Sequence, residues 1–219
     1  MNIKQHPFAL NQYFQDEHKK TQIYLHHTAG NPNPYGVYHY WATTKDRVAT
    51  CVTIGGKPDS SNTWEDGLIV QGYSSKFWGY HLGLQGDTFK RAGVKFQWLD
   101  KISIGVEVCN WGQISYKNGK YYTYVNREIS KDQVQELEEG YRGYKLWHKY
   151  TDAQIESVRE LLVLWNKRYS IPVTYNEDIW SISKRALSGE PGVYTHNSVR
   201  RDKTDIYPCP KMIAMLKSL

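Results

Sequence analysis

The run Ile102-Ser-Ile-Gly-Val-Glu-Val108 constrains the fold of this chain more than any other segment. It is short, β-branched and apolar apart from one carboxylate, so it reads as a strand in the interior of a sheet. A buried strand needs layers to cover it. Thr151-Asp-Ala-Gln154 is a capping box, and Ile155, Val158, Leu162 and Trp165 (or Leu161) recur after it at helical spacing. That helix runs to about Tyr169 and stops before Ile171-Pro172. Mixed strands and helices predict an α/β or α+β class, a sheet with helices packed on its faces.

The remaining segments fill in that picture. Thr21 to His27 reads as a strand running into a loop at Thr28-Ala-Gly30, and residues 36–44 as a short helix. A second strand is expected over 48–54, broken by Gly55-Gly56, and a short one at Leu68-Ile69-Val70. Residues 57–66 are loop-like, and residues 72–82 are aromatic and broken by glycine. A hairpin is expected over 112–125 around Asn118-Gly119. Ser130-Lys-Asp-Gln133 is a further capping box, and Val134 and Leu137 after it predict a second helix. Pro172-Val-Thr174 reads as a strand and Pro210 to Lys217 as a terminal helix. The expected organisation is a polar leading arm over 1–20 and a single domain over 21–219, with insertions near 57–66 and 112–125.

Composition narrows the function. At 219 residues the chain can bury a real core without staples. The 18 Tyr and 8 Trp offer flat apolar faces with polar edges, which suit sugar and peptide ligands as well as a core. The formal charge of +6 favours an anionic partner, yet it is spread along the chain with no basic run or nucleic-acid signature. No nucleic-acid partner is therefore expected. Cys51, Cys109 and Cys209 form no paired framework, which suits a reducing compartment. The segment MNIKQHPFALNQYF lacks the apolar core of a signal peptide, and no stretch has the ~20 apolar residues of a membrane span. A chain that is cytoplasmic where it is made, and does not insert into membranes, is expected.

Three places carry candidate chemistry. His26 and His27 lie at a strand end, where a scaffold presents ligands, and alternation lets only one of them face a site. His196-Asn-Ser-Val-Arg-Arg-Asp-Lys203-Thr-Asp205 adds an imidazole and a carboxylate. With His26 they make three N and O donors, the pattern of a catalytic zinc with one open position. Glu107 interrupts an apolar strand, so it either faces the wet side of the sheet or has a task there. Burial would raise its pKa toward what a general base or acid needs near neutral pH.

In four segments these residues resemble the zinc N-acetylmuramoyl-L-alanine amidases, a family that includes phage lysozyme-amidases and peptidoglycan recognition proteins. The segments are IYLHHTAGNP, KISIGVEVCNWG, KYTDAQIESVRELLVLWNKRYSIP and THNSVRRDKTD, in the family's order and spanning about residues 21–211. The resemblance implies an α/β fold with a central mixed β-sheet flanked by helices and zinc in an open groove. It implies His26, His196 and Asp205 as zinc ligands, Glu107 as the catalytic glutamate and Lys203 as the group that meets the oxyanion. The implied reaction is hydrolysis of the amide between N-acetylmuramic acid and L-alanine, with peptidoglycan as partner; a monomer is expected.

Departures from the family pattern qualify this. Thr50-Cys51 stands where the family has Tyr-His, and members with that tyrosine lack the glutamate. Trp78-Gly-Tyr-His81 replaces Trp-His-Ala-Gly, leaving Trp78, His81 and Thr28 as expected substrate contacts. Some members use cysteine as third ligand, so Cys209 competes with Asp205, although its spacing from His196 is too long. A phage endolysin is the expected setting. A non-catalytic peptidoglycan-binding module and a cytoplasmic muropeptide-recycling amidase are the alternatives.

Overall fold

The computed structural model describes residues 1–58 and 63–219. The chain lays down β1 (Ile3–Gln5), β2 (Gln22–His27), β3 (Val52–Ile54), β4 (Ile69–Gln71) and β5 (Ser103–Val108). It then forms a small antiparallel sheet of β6 (Ser115–Lys117), β7 (Lys120–Tyr122) and β8 (Glu128–Ile129), and a hairpin of β9 (Val134–Tyr141) and β10 (Tyr144–His148). It returns to the first sheet as β11 (Gly192–Thr195). The helices are α1 (Gly36–Ala42), α2 (Gly86–Ala92), α3 (Leu99–Ile102), α4 (Asp152–Tyr169), α5 (Lys184–Leu187) and α6 (Pro210–Lys217). The central sheet has the order β1-β4-β3-β5-β2-β11 and is mixed: β3, β5, β2 and β11 run parallel, and β4 pairs antiparallel to β3. This is the α/β architecture with a central mixed sheet expected from sequence.

Strict alternation gives this sheet two unlike faces. Registered neighbours in parallel strands share a face. Val52, Val106 and Leu25 form one row, and Thr53, Glu107 and His26 form the next, on the opposite face. Ile23, Leu25, Ile104, Val106, Val108, Val52 and Ile54 therefore make one face apolar. α4 packs against β3, joining Ile155, Val158, Leu161, Leu162 and Trp165 to that core. The other face carries Tyr24, His26, Ser103, Gly105, Glu107 and Thr53, all buried polar or small groups apart from the Tyr24 ring. Chemistry can be mounted only on this second face.

The helix read from Thr151-Asp-Ala-Gln154 forms with its capping box complete. The second capping box does not open a helix. Ser130 starts a single 3-10 turn, Lys131–Gln133, with no side-chain cap, and Val134–Tyr141 continues as β9. Val134 and Leu137 were too few apolar residues to commit the segment, and pairing with β10, Val134 opposite His148 and Gln135 opposite Trp147, overrides the local signal. Residues 172–174 do not form the expected strand; they run as an irregular segment after buried Ile171. The second strand is confined to Val52–Ile54. The hairpin at Asn118-Gly119 forms, both residues having positive φ (50° and 79°) as a tight two-residue turn requires. Of the loop read over 57–66, residues 59–62 lie outside the described residues.

Residues 1–20 run along the edge of the central sheet. Ile3–Gln5 pair parallel to β4, and Phe8 and Tyr13 join the core. Phe8 lies so close to Gly72 that a Cβ there would be 2.4 Å from its ring, so only glycine admits it. Phe14 stacks on Trp78 with centroids 3.9 Å apart.

Candidate metal centre

His26 is presented by the end of β2, beside Glu107 of β5 in register, with Thr53 of β3 beyond. β11 ends at Thr195 opposite Leu25, which brings the next residue, His196, level with His26. The row therefore lies at the carboxyl ends of four parallel strands, where open α/β sheets hold their ligands. Asp205 reaches the same point from the segment before α6.

Three donor atoms converge there. His26 Nδ1 is 3.1 Å from His196 Nδ1 and 3.2 Å from Asp205 Oδ2, and His196 Nδ1 is 3.0 Å from Asp205 Oδ2. For a tetrahedral ion with bonds of about 2.0 Å, donors sit about 3.3 Å apart, so this triangle fits one. Both imidazoles are buried. Among the described residues this is the group of ligand-type side chains that could hold a metal ion, and Cys209, buried at the start of α6, is not in it.

The proton positions follow from the outer nitrogens. His196 Nε2 is 3.0 Å from the carbonyl of Leu82, which can only accept, so a neutral His196 carries its proton on Nε2 and leaves the Nδ1 lone pair toward the centre. Burial, then His196, pushes His26 down to about 4, so it is a neutral ring near neutral pH. Burial opposes ionisation of Asp205, yet the neighbouring His196, and then His26, hold its carboxyl well below the usual range. Burial, and then Asp205, raises Glu107 well above an ordinary carboxylate, while Lys203 works the other way.

A cavity of about 310 Å³ opens over the donors. Glu107, Lys203, Thr28 and His81 all contribute to its wall, with Trp41 and Tyr80. Lys203 makes no hydrogen bond or ion pair to another described residue, which leaves its ammonium available to the cavity. His27 points to the opposite face, its Nδ1 2.7 Å from the Tyr150 hydroxyl. Two expected substrate contacts have largely buried side chains. Trp78 does not line the cavity: it is buried between Phe14 and Tyr80, with Nε1 donating to Asp16. The His81 ring is almost wholly buried behind His26, Nδ1 to Nε2 at 3.0 Å. Sequence reasoning missed Asp100, Ser103 and the Leu82 carbonyl behind this site; no spacing pattern marks them.

Fold and donors together define an α/β protein with a candidate metal site: two imidazoles at parallel strand ends and a carboxylate from the segment before α6, beside a buried glutamate. The family model described as N-acetylmuramoyl-L-alanine amidase matches residues 16–210, and the chain belongs to that family of enzymes. Solved structures share the fold. The structure of PlyL is 13% identical, covers 99% of this chain and 98% of its own, and has a TM-score of 0.56. A mutant endolysin from Bacillus subtilis is 14% identical over 99% of this chain and 97% of its own, with a TM-score of 0.54. A selenomethionine AmpD derivative is 15% identical over 98% and 94%, with a TM-score of 0.50. No curated protein matches the chain. Among the described residues no helix is long and apolar enough to cross a membrane.

Proposed function

We propose that this amidase uses zinc, held by His26, His196 and Asp205, to cut the amide between N-acetylmuramic acid and L-alanine in intact peptidoglycan. The observation that carries the reading is the triangle of donors 3.0–3.2 Å apart with Glu107 on the adjoining strand in register with His26. Zinc there would polarise the scissile carbonyl and supply a water with a pKa near 7. Glu107 takes the proton of the attacking water, for which its burial gives it the basicity near neutral pH. The same carboxyl then returns the proton to the departing amine of L-alanine. Lys203, on the cavity wall, meets the charge that develops on the carbonyl oxygen. Thr28 lines the same cavity and is the polar group assigned to hold the substrate there.

The proposed setting is lysis of the wall by a monomeric phage-type endolysin made in the cytoplasm, in line with the endolysin among the structural neighbours. A substrate panel tests it. An endolysin clears intact sacculi, and a preference for soluble anhydro-muropeptides over sacculi would instead make this a recycling enzyme. A peptidoglycan-binding module would bind wall and release nothing.

A further inference from the structure

Behind the two imidazoles runs a single dipeptide, His81-Leu82. Asp100 Oδ1 accepts the backbone N–H of His81 at 2.9 Å and of Leu82 at 3.0 Å, so one carboxylate fixes both residues. The Leu82 carbonyl stands 3.0 Å from His196 Nε2, and the His81 ring places Nδ1 3.0 Å from His26 Nε2. The outer nitrogens of both imidazoles thus end on consecutive residues of one segment. Room for the His81 ring comes from Gly105 on β5, where a Cβ would lie 3.1 Å from His81 Cγ and Nδ1 and 2.8 Å from Thr50 Cγ2.

We propose that His81 and Leu82, pinned by Asp100, are positioning residues that set both imidazoles in the Nε2–H tautomer and aim both Nδ1 lone pairs at the metal. The inference rests on the metal reading above. For His196 the assignment follows from the carbonyl alone. For His26 there are two arrangements. Either His26 Nε2–H donates to His81 Nδ1, or His81 Nδ1–H donates to His26 Nε2 and leaves the His26 proton on Nδ1, where it blocks the metal. The far side of His81 decides between them. Its Nε2 is 2.9 Å from the Ser103 hydroxyl and 3.9 Å from the Asp100 carboxylate. The hydroxyl can accept a hydrogen bond from His81 Nε2–H, and a metal held on His26 Nδ1 leaves no proton there, so only the first arrangement is compatible with the metal. His81 then has Nδ1 free as an acceptor, and His26 must donate from Nε2. Outer partners of this kind typically govern metal affinity by about 10–100-fold.

The test has two arms on the full chain. Imidazole nitrogen chemical shifts of the zinc-loaded protein should report Nε2–H for both His26 and His196 and an unprotonated Nδ1 on His81; a proton on His81 Nδ1 overturns the proposal. Zinc titration should then give about 10–100-fold weaker binding for His81→Ala with an unchanged circular-dichroism spectrum. His81→Asn places an amide oxygen where Nδ1 stood and should restore affinity to within about threefold of the parent. Gly105→Ala, which displaces His81 without touching a ligand, should weaken binding as His81→Ala does. Equal zinc affinity in the parent, His81→Ala and Gly105→Ala overturns the proposal. A parent that binds no zinc contradicts the metal reading, whereas a zinc-binding parent with the His81 proton on Nδ1 contradicts this proposal alone.

Discussion

Glu107 is a buried carboxyl on the cavity wall whose pKa is raised by burial and then by Asp205, with Lys203 opposing. A group held that way at a cost is expected to act. Glu107→Ala should keep zinc at full stoichiometry while turnover falls by about 10²–10⁴-fold, as for loss of a general base. Wild-type turnover in that variant would remove Glu107 from the mechanism. Asp205→Ala should lose metal, read by zinc content after dialysis; full occupancy would mean that another group closes the triangle. Lys203→Ala should keep zinc and lower kcat by about 10²–10³-fold, and a loss confined to KM would make Lys203 a binding group instead. His26, His196, Asp205, Glu107 and Lys203, singled out in sequence, stand around one cavity, and these variants test the roles proposed for Glu107, Asp205 and Lys203. Trp78 was misread because an aromatic beside a histidine suits a groove and a core equally. Only the Phe14 ring stacked on it and the Asp16 carboxylate at its Nε1 decide for the core, and those come from sixty-odd residues away in the chain.

At the scale of elements, local signals succeeded where local interactions suffice. Thr151 Oγ1 accepts the Gln154 N–H at 3.0 Å and donates to Asp66 at 2.8 Å, and the Gln154 side chain returns a bond to the Thr151 N–H. All of this but Asp66 is written within one turn, and α4 was readable to its ends. Thr151→Ala should cost about 1 kcal/mol of stability, measured by the denaturant midpoint with an unchanged slope. No shift in the midpoint would mean that tertiary packing alone holds that end of α4. β9 failed because its partner strand decides it. Arg142 and Gly143, both at positive φ, turn the chain back so that Trp147, fully buried, anchors the hairpin from β10. A capping box followed by two apolar residues does not outweigh that pairing. Of the central sheet, β2, β3, β4 and β5 were legible in sequence, whereas β1 lay in a segment read as a polar arm and β11 was not read as a strand. The sheet's division into an apolar face and a catalytic face appears only with the register that sets Glu107 against His26.

Across the whole molecule, histidines held neutral by burial set the acid response. His27 and His148 are both pushed down to about 4, chiefly by burial. The unfolded chain binds their protons at the ordinary value near 6.5, so between about pH 6.5 and 4 it holds more protons than the folded state. Stability is then fully present above about pH 6.5 and falls as the pH drops toward 4, by at most about 1.4 kcal/mol per pH unit for each ring. Glu107, Asp66 and Asp100, whose carboxyls burial raises, act in the opposite sense, against the lowered rings of His26, His27, His81 and His148. Denaturant midpoints of the metal-free chain should be level from pH 8 to 7 and decline below; a level curve down to pH 4 would contradict this. The central claim concerns one bond and one metal. The direct test is mass spectrometry of purified peptidoglycan digested by the zinc-loaded chain, beside a sample treated with EDTA. Stem peptides with a free L-alanine amino terminus, released only with metal, are the predicted result. Their absence from intact wall and soluble muropeptides alike, despite bound zinc, would contradict the account.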